Sequence, residues 1–278
     1  MVVRRALLTA LITAGLAATA PARAEIASGW SAPSGTAVRL VAASEGGALT
    51  GGVQIRLTPG WKTYWRYPGD AGVPPRFDWS GSSNVGAVEV LWPAPVRFDE
   101  GGSLSIGYKS DVTLPFKVTP REAGKPVELR LALDFAVCEK ICQPATANVT
   151  LDVPASGAGA PSPTLTAALA AVPLTATLGA GAAPAIESAT LEGSGEQRRI
   201  RILARVGDAG TADLFVEGPD DNWALPLPER SAGPDGRAVF TLPVDGVPSG
   251  GDIATTLLRF TLTDRAGAVE VTAPLSAP

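Results

Sequence analysis

The stretch "VELRLALDFAV", residues Val127 to Val137, decides how the rest of this chain is read. Val127, Leu129, Leu131, Leu133 and Phe135 fall on one side of an extended backbone, and Glu128, Arg130 and Asp134 on the other. That period of two is the pattern of a half-buried strand in an antiparallel sheet. On either side the same rhythm recurs in short runs: "AVRLVAAS", "GGVQIRLT", "VGAVEVLWP", "VTLPFKVTP" and "ANVTLDVP". Gly, Pro, Asn and Asp punctuate them as turn formers do. At least six such segments lie in about 130 residues, the density expected of a β-sandwich of immunoglobulin-like type. The Cys…Trp…Cys spacing of true immunoglobulin domains is missing, so strand rhythm alone carries this expectation.

Further along, composition changes. Residues 155–185 are rich in Ala, Gly, Pro, Ser and Thr and carry no charge until the strand rhythm returns, which suits a linker. Within it, Ser162 followed by Pro163, with Leu165 and Leu169 four apart, predicts one short helix over 162–172 lying against a domain. From Ile186 the runs "RRIRILARV", "ADLFVEGP", "RAVFTLPV" and "TTLLRFTLTD" predict a second, smaller β-sandwich over 186–278. Asp220 and Asp221 in "GPDDNW" read as turn formers. The fold class expected is therefore all-β: an immunoglobulin-like sandwich over residues 25–154, a linker, and a second sandwich.

The amino terminus reads separately. Arg4 and Arg5, an apolar run from Ala6 to Ala20, and Ala22-Arg23-Ala24 have the layout of a secretory signal peptide spanning residues 1–24. The run is too short for a spanning helix, and no cysteine at the cleavage point offers a lipid attachment. An exported chain that is not an integral membrane protein is expected. Without Arg4, Arg5 and Arg23, 20 basic residues face 27 acidic ones, a net charge of −7. Such a chain repels phosphate backbones, which argues against a nucleic-acid partner. There is no histidine, which removes Ser-His-Asp and Cys-His catalysis and the usual zinc ligand sets.

What remains is "DFAVCEKICQPA", Asp134 to Ala145, which holds both cysteines of the chain. Disulfide Cα atoms lie about 4.4–6.8 Å apart, whereas four steps along a straight strand cover about 13 Å. If Glu139, Lys140 and Ile141 make a three-residue hairpin loop, Cys138 and Cys142 face one another across adjacent strands. The loop lacks the glycine such turns favour, leaving a bulge or a helical turn as alternatives. A bridge closing so small a loop restricts the unfolded chain little, and accessible small-loop disulfides are the labile ones. Three readings stand: a redox pair, a structural bridge in a two-domain protein-binding module, and a copper(I) site using both thiolates. The last lacks further soft ligands, since the chain has no His and only Met1.

Three stretches, "GWKTYWRYPGDAGVPPRFDW" (60–79), "VEVLWPAPVRFDEGGSLSIGYKSDVTLP" (88–115) and "LDFAVCEKICQPATANVTLDVP" (133–154), together resemble the N-terminal periplasmic domain of the thiol:disulfide interchange proteins, DsbD. They are most similar to the ScsB-like branch associated with copper tolerance. Weaker similarity continues through 212–229 and 257–271, which look like the second periplasmic segment of that branch. The resemblance implies a redox-active pair at Cys138 and Cys142, with Cys142 forming mixed disulfides with partners. It implies a cap loop around Phe98, Asp99, Glu100 and Tyr108 that shields the pair. By their charges, Lys140 favours and Glu139 opposes thiolate formation, and both are candidate partner contacts. Trp61, Trp65, Trp79 and Trp92 read as core or lid aromatics. The implied partners are a membrane electron donor of the DsbD/ScsB type, expected here to be separately encoded, and thioredoxin-like periplasmic oxidoreductases. No organic cofactor and no metal are implied. Better-known DsbD proteins have a longer gap between their cysteines, so loop geometry is expected to differ.

Overall fold

The computed structural model describes residues 25–33, 35–45 and 48–277; the expected signal peptide lies outside the described residues. Strands β1 (Ile26–Ala27), β2 (Thr36–Glu45), β3 (Ala48–Leu57), β4 (Lys62–Gly69), β5 (Arg76–Asp78), β6 (Val85–Val90), β7 (Val96–Glu100), β8 (Ser103–Tyr108), β9 (Val112–Pro120), β10 (Val127–Cys138) and β11 (Cys142–Val153) build a first sandwich. Helix α1 (Pro163–Ala170) follows. Strands β12 (Leu174–Thr175), β13 (Ala185–Glu192), β14 (Arg199–Arg205), β15 (Asp213–Glu217), β16 (Glu229–Ala232), β17 (Ala238–Pro243), β18 (Leu258–Asp264) and β19 (Gly267–Ala273) build a second. The protein is all-β apart from α1 and two short 3₁₀ turns.

In the first sandwich one sheet runs β1-β2-β3-β9-β6. The other runs β11-β10-β4-β8-β7, with β5 added against β10. The two sheets of the second sandwich run β12-β19-β18-β15 and β13-β14-β17-β16. The pairs are antiparallel except β12 with β19.

Residues Val127 to Val137 lie in β10, and their alternation is the packing. Val127, Leu129, Leu131, Leu133 and Phe135 are buried in the first core, where they meet Val38, Leu40, Val53 and Ile55 of the facing sheet. Arg130 and Asp134 are exposed on the outer face. At the end of the strand this alternation stops: Phe135, Ala136, Val137 and Cys138 are all buried. The outer face of the sheet is covered there, and that cover is the candidate site.

Local chemistry explains the remaining framework. Ser162 caps α1, its Oγ accepting the Leu165 N–H at 3.2 Å, and Pro163 opens the first turn, where its missing N–H costs nothing. Leu165 is fully buried against Val41 and Ala43 on the outer face of β2. Trp65 is fully buried, while Trp61, Trp79 and Trp92 are partly buried against the same core. The tryptophans are core aromatics.

Two glycine features place the cover. β7 turns into β8 through Gly101 and Gly102, both at positive φ (67° and 98°), the two-residue turn whose twist suits a hairpin. Gly107 on β8 lies so close to β4 that an added Cβ would fall 2.0 Å from the Thr63 carbonyl oxygen and 2.8 Å from the Tyr64 Cα. Gly107→Ala is therefore expected to push β8 from β4 and lower stability by about 1–3 kcal/mol. Equilibrium urea unfolding reads this as a reduced midpoint at unchanged slope.

Candidate functional site

β10 and β11 pair in unbroken register from Val127 opposite Val153 to Cys138 opposite Cys142. The loop between them is Glu139, Lys140 and Ile141. The hairpin reading is the one realised, without a glycine in the loop. Cys138 and Cys142 form a disulfide with Cα atoms 4.1 Å apart. Because side chains alternate along β10, Cys138 belongs to the outer face, with Ala136 and opposite the core face of Val137. The two sulfurs are not equivalent. Cys138 is 1% exposed, while Cys142 is exposed at the start of an edge strand.

The cover comes from β4 and β7. Tyr64, Phe98, Ala136 and Cys138 pack as a small apolar cluster of their own, separate from the main core. The Tyr64 and Phe98 ring centroids are 6.5 Å apart. The Tyr64 Oη lies 2.8 Å from Cys138 Sγ and 3.1 Å from Cys142 Sγ, and it donates to Glu100 Oε2 at 2.7 Å. Glu100 also accepts the Ser105 hydroxyl at 2.9 Å and pairs with Lys62 Nζ at 3.2 Å. The Lys62 ammonium sits 5.2 Å from the Phe98 ring centroid. Opposite-strand pairing of Lys62 with Cys138 brings this group to the disulfide.

This is a nearly buried carboxylate and ammonium, with side chains 10% and 16% exposed. Burying them is tolerable because each oxygen of Glu100 has a donor. Burial, and then the hydrogen bond and charge of Glu100, push the Tyr64 phenol far above its ordinary range. Tyr64 therefore keeps its proton at any physiological pH. A hydroxyl held there can serve sulfur in two ways: its lone pairs accept from a thiol, and its proton can turn to a thiolate. The Glu100 charge opposes thiolate formation, and Lys62 offsets it in part.

Of the residues singled out in the sequence, Phe98 and Glu100 stand against the pair. Asp99 faces the other way and its Oδ1 accepts the Gly102 N–H at 3.3 Å, serving the turn. Tyr108 packs in the main core and donates to the Pro93 carbonyl at 2.9 Å; as a residue of the inner face it does not join the cover. Glu139 and Lys140 are exposed in the hairpin loop, as is Ile141, 75% exposed and apolar. Lys62, Tyr64 and Ser105 were not singled out. Alternation in "WKTYW" puts Lys62 and Tyr64 on one face and Thr63 and Trp65 on the other; no sequence signal indicates that the first face meets Cys138.

Glu100, Cys138 and Cys142 place one donor atom each within 4.8 Å of one another. In the disulfide state the sulfurs are bonded to each other and the carboxylate oxygens are already taken by Lys62, Tyr64 and Ser105.

Residues 32–154 match the family model described as "Thiol:disulfide interchange protein DsbD, N-terminal". The first sandwich is a DsbD N-terminal domain. It is a thiol–disulfide interchange domain, and its bonded cysteine pair lies where β10 meets β11. A similar solved structure is the N-terminal periplasmic domain of ScsB from Proteus mirabilis. It aligns at a TM-score of 0.70 and 23% identity, covering 91% of this chain and 99% of that one. At that identity the likeness is one of fold, and it extends beyond the DsbD N-terminal domain into the second sandwich. No curated protein matches the chain in sequence. Among the described residues, no helix is long and apolar enough to cross a membrane.

Glu100→Gln removes the negative charge beside the sulfurs and leaves Lys62 unopposed; both changes favour thiolate. The pH profile of iodoacetamide alkylation of the reduced protein is expected to move down by about 1 unit. An unchanged or raised profile would mean that Glu100 does not act on the pair.

Proposed function

We propose that this protein is a periplasmic thiol–disulfide exchange carrier that takes electrons from a membrane reductase and passes them to thioredoxin-like oxidoreductases through Cys138 and Cys142. The observation that carries this reading is the asymmetry of the disulfide: one sulfur is open to a partner and the other is buried under Tyr64 and Phe98. A passive staple in a binding module has no use for such a cover. The signal-peptide layout of residues 1–24 and the periplasmic origin of the ScsB domain support the compartment.

The chemistry is two-electron exchange. A donor thiolate attacks Cys142 Sγ, the S–S bond breaks, and its electron pair leaves on Cys138 Sγ, which takes a proton beside Tyr64. The donor's second thiolate then attacks its own sulfur in the mixed disulfide, and Cys142 leaves as a thiolate. Donor is oxidised and carrier reduced by two electrons. In the second half Cys142 attacks a client disulfide, and Cys138 then attacks Cys142 Sγ to release the reduced client and restore the bridge. Phe98, Glu100 and Tyr64 act as the cap, limiting access of small oxidants to Cys138. Ile141, Glu139 and Lys140 form the rim that a partner meets first.

Replacing the resolving sulfur tests this order of attack. Reduced Cys138→Ser, mixed with an oxidised thioredoxin-fold oxidoreductase, is expected to accumulate a mixed disulfide visible as a shifted band on a non-reducing gel. Cys142→Ser is expected to form little. A stronger band with Cys142→Ser would reverse the roles, and no band with either would remove the exchange function.

A further inference from the structure

We propose that the second sandwich is a positioning element of the redox site, holding in place the two strands that cover the disulfide. The proposal rests on the exchange reading above. β7 is an edge strand of five residues whose only ladder partner, among the described residues, is β8. Its alternation sends Phe98 and Glu100 to the disulfide, and Arg97, next to Phe98, to the opposite side with Asp99. There Arg97 forms a two-pronged pair with Asp213, at 3.2 and 2.7 Å, and donates to the Pro228 carbonyl at 3.0 Å and, more weakly, to that of Leu214 at 3.4 Å. The edge strand is thus fastened by its ladder on one side and by the second sandwich on the other.

β4 is held in the same way. Two residues beyond Tyr64, Arg66 donates to both oxygens of Glu217 at 2.8 and 2.7 Å and to Glu270 at 2.5 Å. Tyr67 donates to the Leu225 carbonyl. Between the two arginines, Phe215 is fully buried with its ring 5.7 Å from Trp65.

One strand supplies three of these anchors. On β15, "DLFVE", Asp213, Phe215 and Glu217 share a face and meet Arg97, Trp65 and Arg66, while Leu214 and Val216 turn into the second sandwich's own core. A strand with one apolar face needs only polar residues on the other. This one carries two paired carboxylates around a phenylalanine, matched to the two strands of the cap. Planar bidentate pairs of this kind fix orientation as well as distance. Arg97 and Asp213 are therefore positioning residues, acting on the sulfurs through Phe98 and Glu100.

The test measures access to the disulfide without a protein partner. Excess dithiothreitol reduces it by attack on Cys142 Sγ, departure of Cys138 Sγ, and closure of the reagent to its cyclic disulfide. The rate is read by quenching and alkylating the freed thiols. Arg97→Ala and the isosteric Asp213→Asn are expected to raise the second-order rate at least ~5-fold, with the folded circular dichroism spectrum retained. The charge swap Arg97→Asp with Asp213→Arg is expected to return it to within about twofold. Arg237→Ala breaks an ion pair of the second sandwich that does not reach β4 or β7 and should leave the rate unchanged. Rates within about twofold of wild type for both single variants, whether or not their thermal midpoints fall, would overturn the proposal. So would an equal acceleration in Arg237→Ala. Loss of exchange with protein clients in the wild type would sink the carrier reading while leaving these rates interpretable.

Discussion

Alternation along β10 is the constraint on which the site depends. Twelve residue pairs of unbroken antiparallel register with β11 bring Cys138 opposite Cys142, and the parity of the strand puts both on the outer face of the sheet. A shift of one residue would turn Cys138 into the core, behind Val137, where no partner could reach the bridge. Burial of Leu129, Leu131, Leu133 and Phe135 therefore does two things: it holds the sandwich together, and it fixes which way the sulfurs point.

An outer face is normally wet, and β10 departs from that only at its end, around the pair. β4 and β7 bring an aromatic ring, a phenol and a paired carboxylate over Ala136 and Cys138. Burying Glu100 and Lys62 there carries a desolvation cost that a plain apolar lid would avoid. The cost is intelligible if the charge and the hydroxyl act on sulfur during exchange, when a thiolate appears and disappears. Cys142, left outside this cover, meets partners under different conditions from those that govern Cys138.

Much of this was legible in the sequence, for a physical reason. Period-two patterning is local, so the strands, the two-sandwich architecture and the capped helix after Ser162 could be read from neighbouring residues. Chain geometry excluded a straight strand through both sulfurs but left a hairpin, a bulge and a helical turn open; the hairpin is decided by the register of β10 with β11. Phe98 and Glu100 were found through the family resemblance, because nothing local in "VRFDEGG" points at a disulfide. Lys62 and Tyr64 were missed because their role depends on β4 pairing with β10 at Lys62 opposite Cys138, a contact between residues 76 positions apart in the chain. The resemblance puts Tyr108 in the cap loop; its place on the inner face is set by its pairing with Thr63 across β4 and β8.

The most direct measurement is the reduction potential of the Cys138–Cys142 pair, obtained by equilibrating the protein in glutathione or dithiothreitol buffers and counting free thiols. A carrier must give and accept electrons at comparable ease, so the account predicts a midpoint between about −180 and −270 mV, the range of exchange catalysts. A midpoint below about −300 mV, where structural bridges lie, would make the pair a staple and contradict the account.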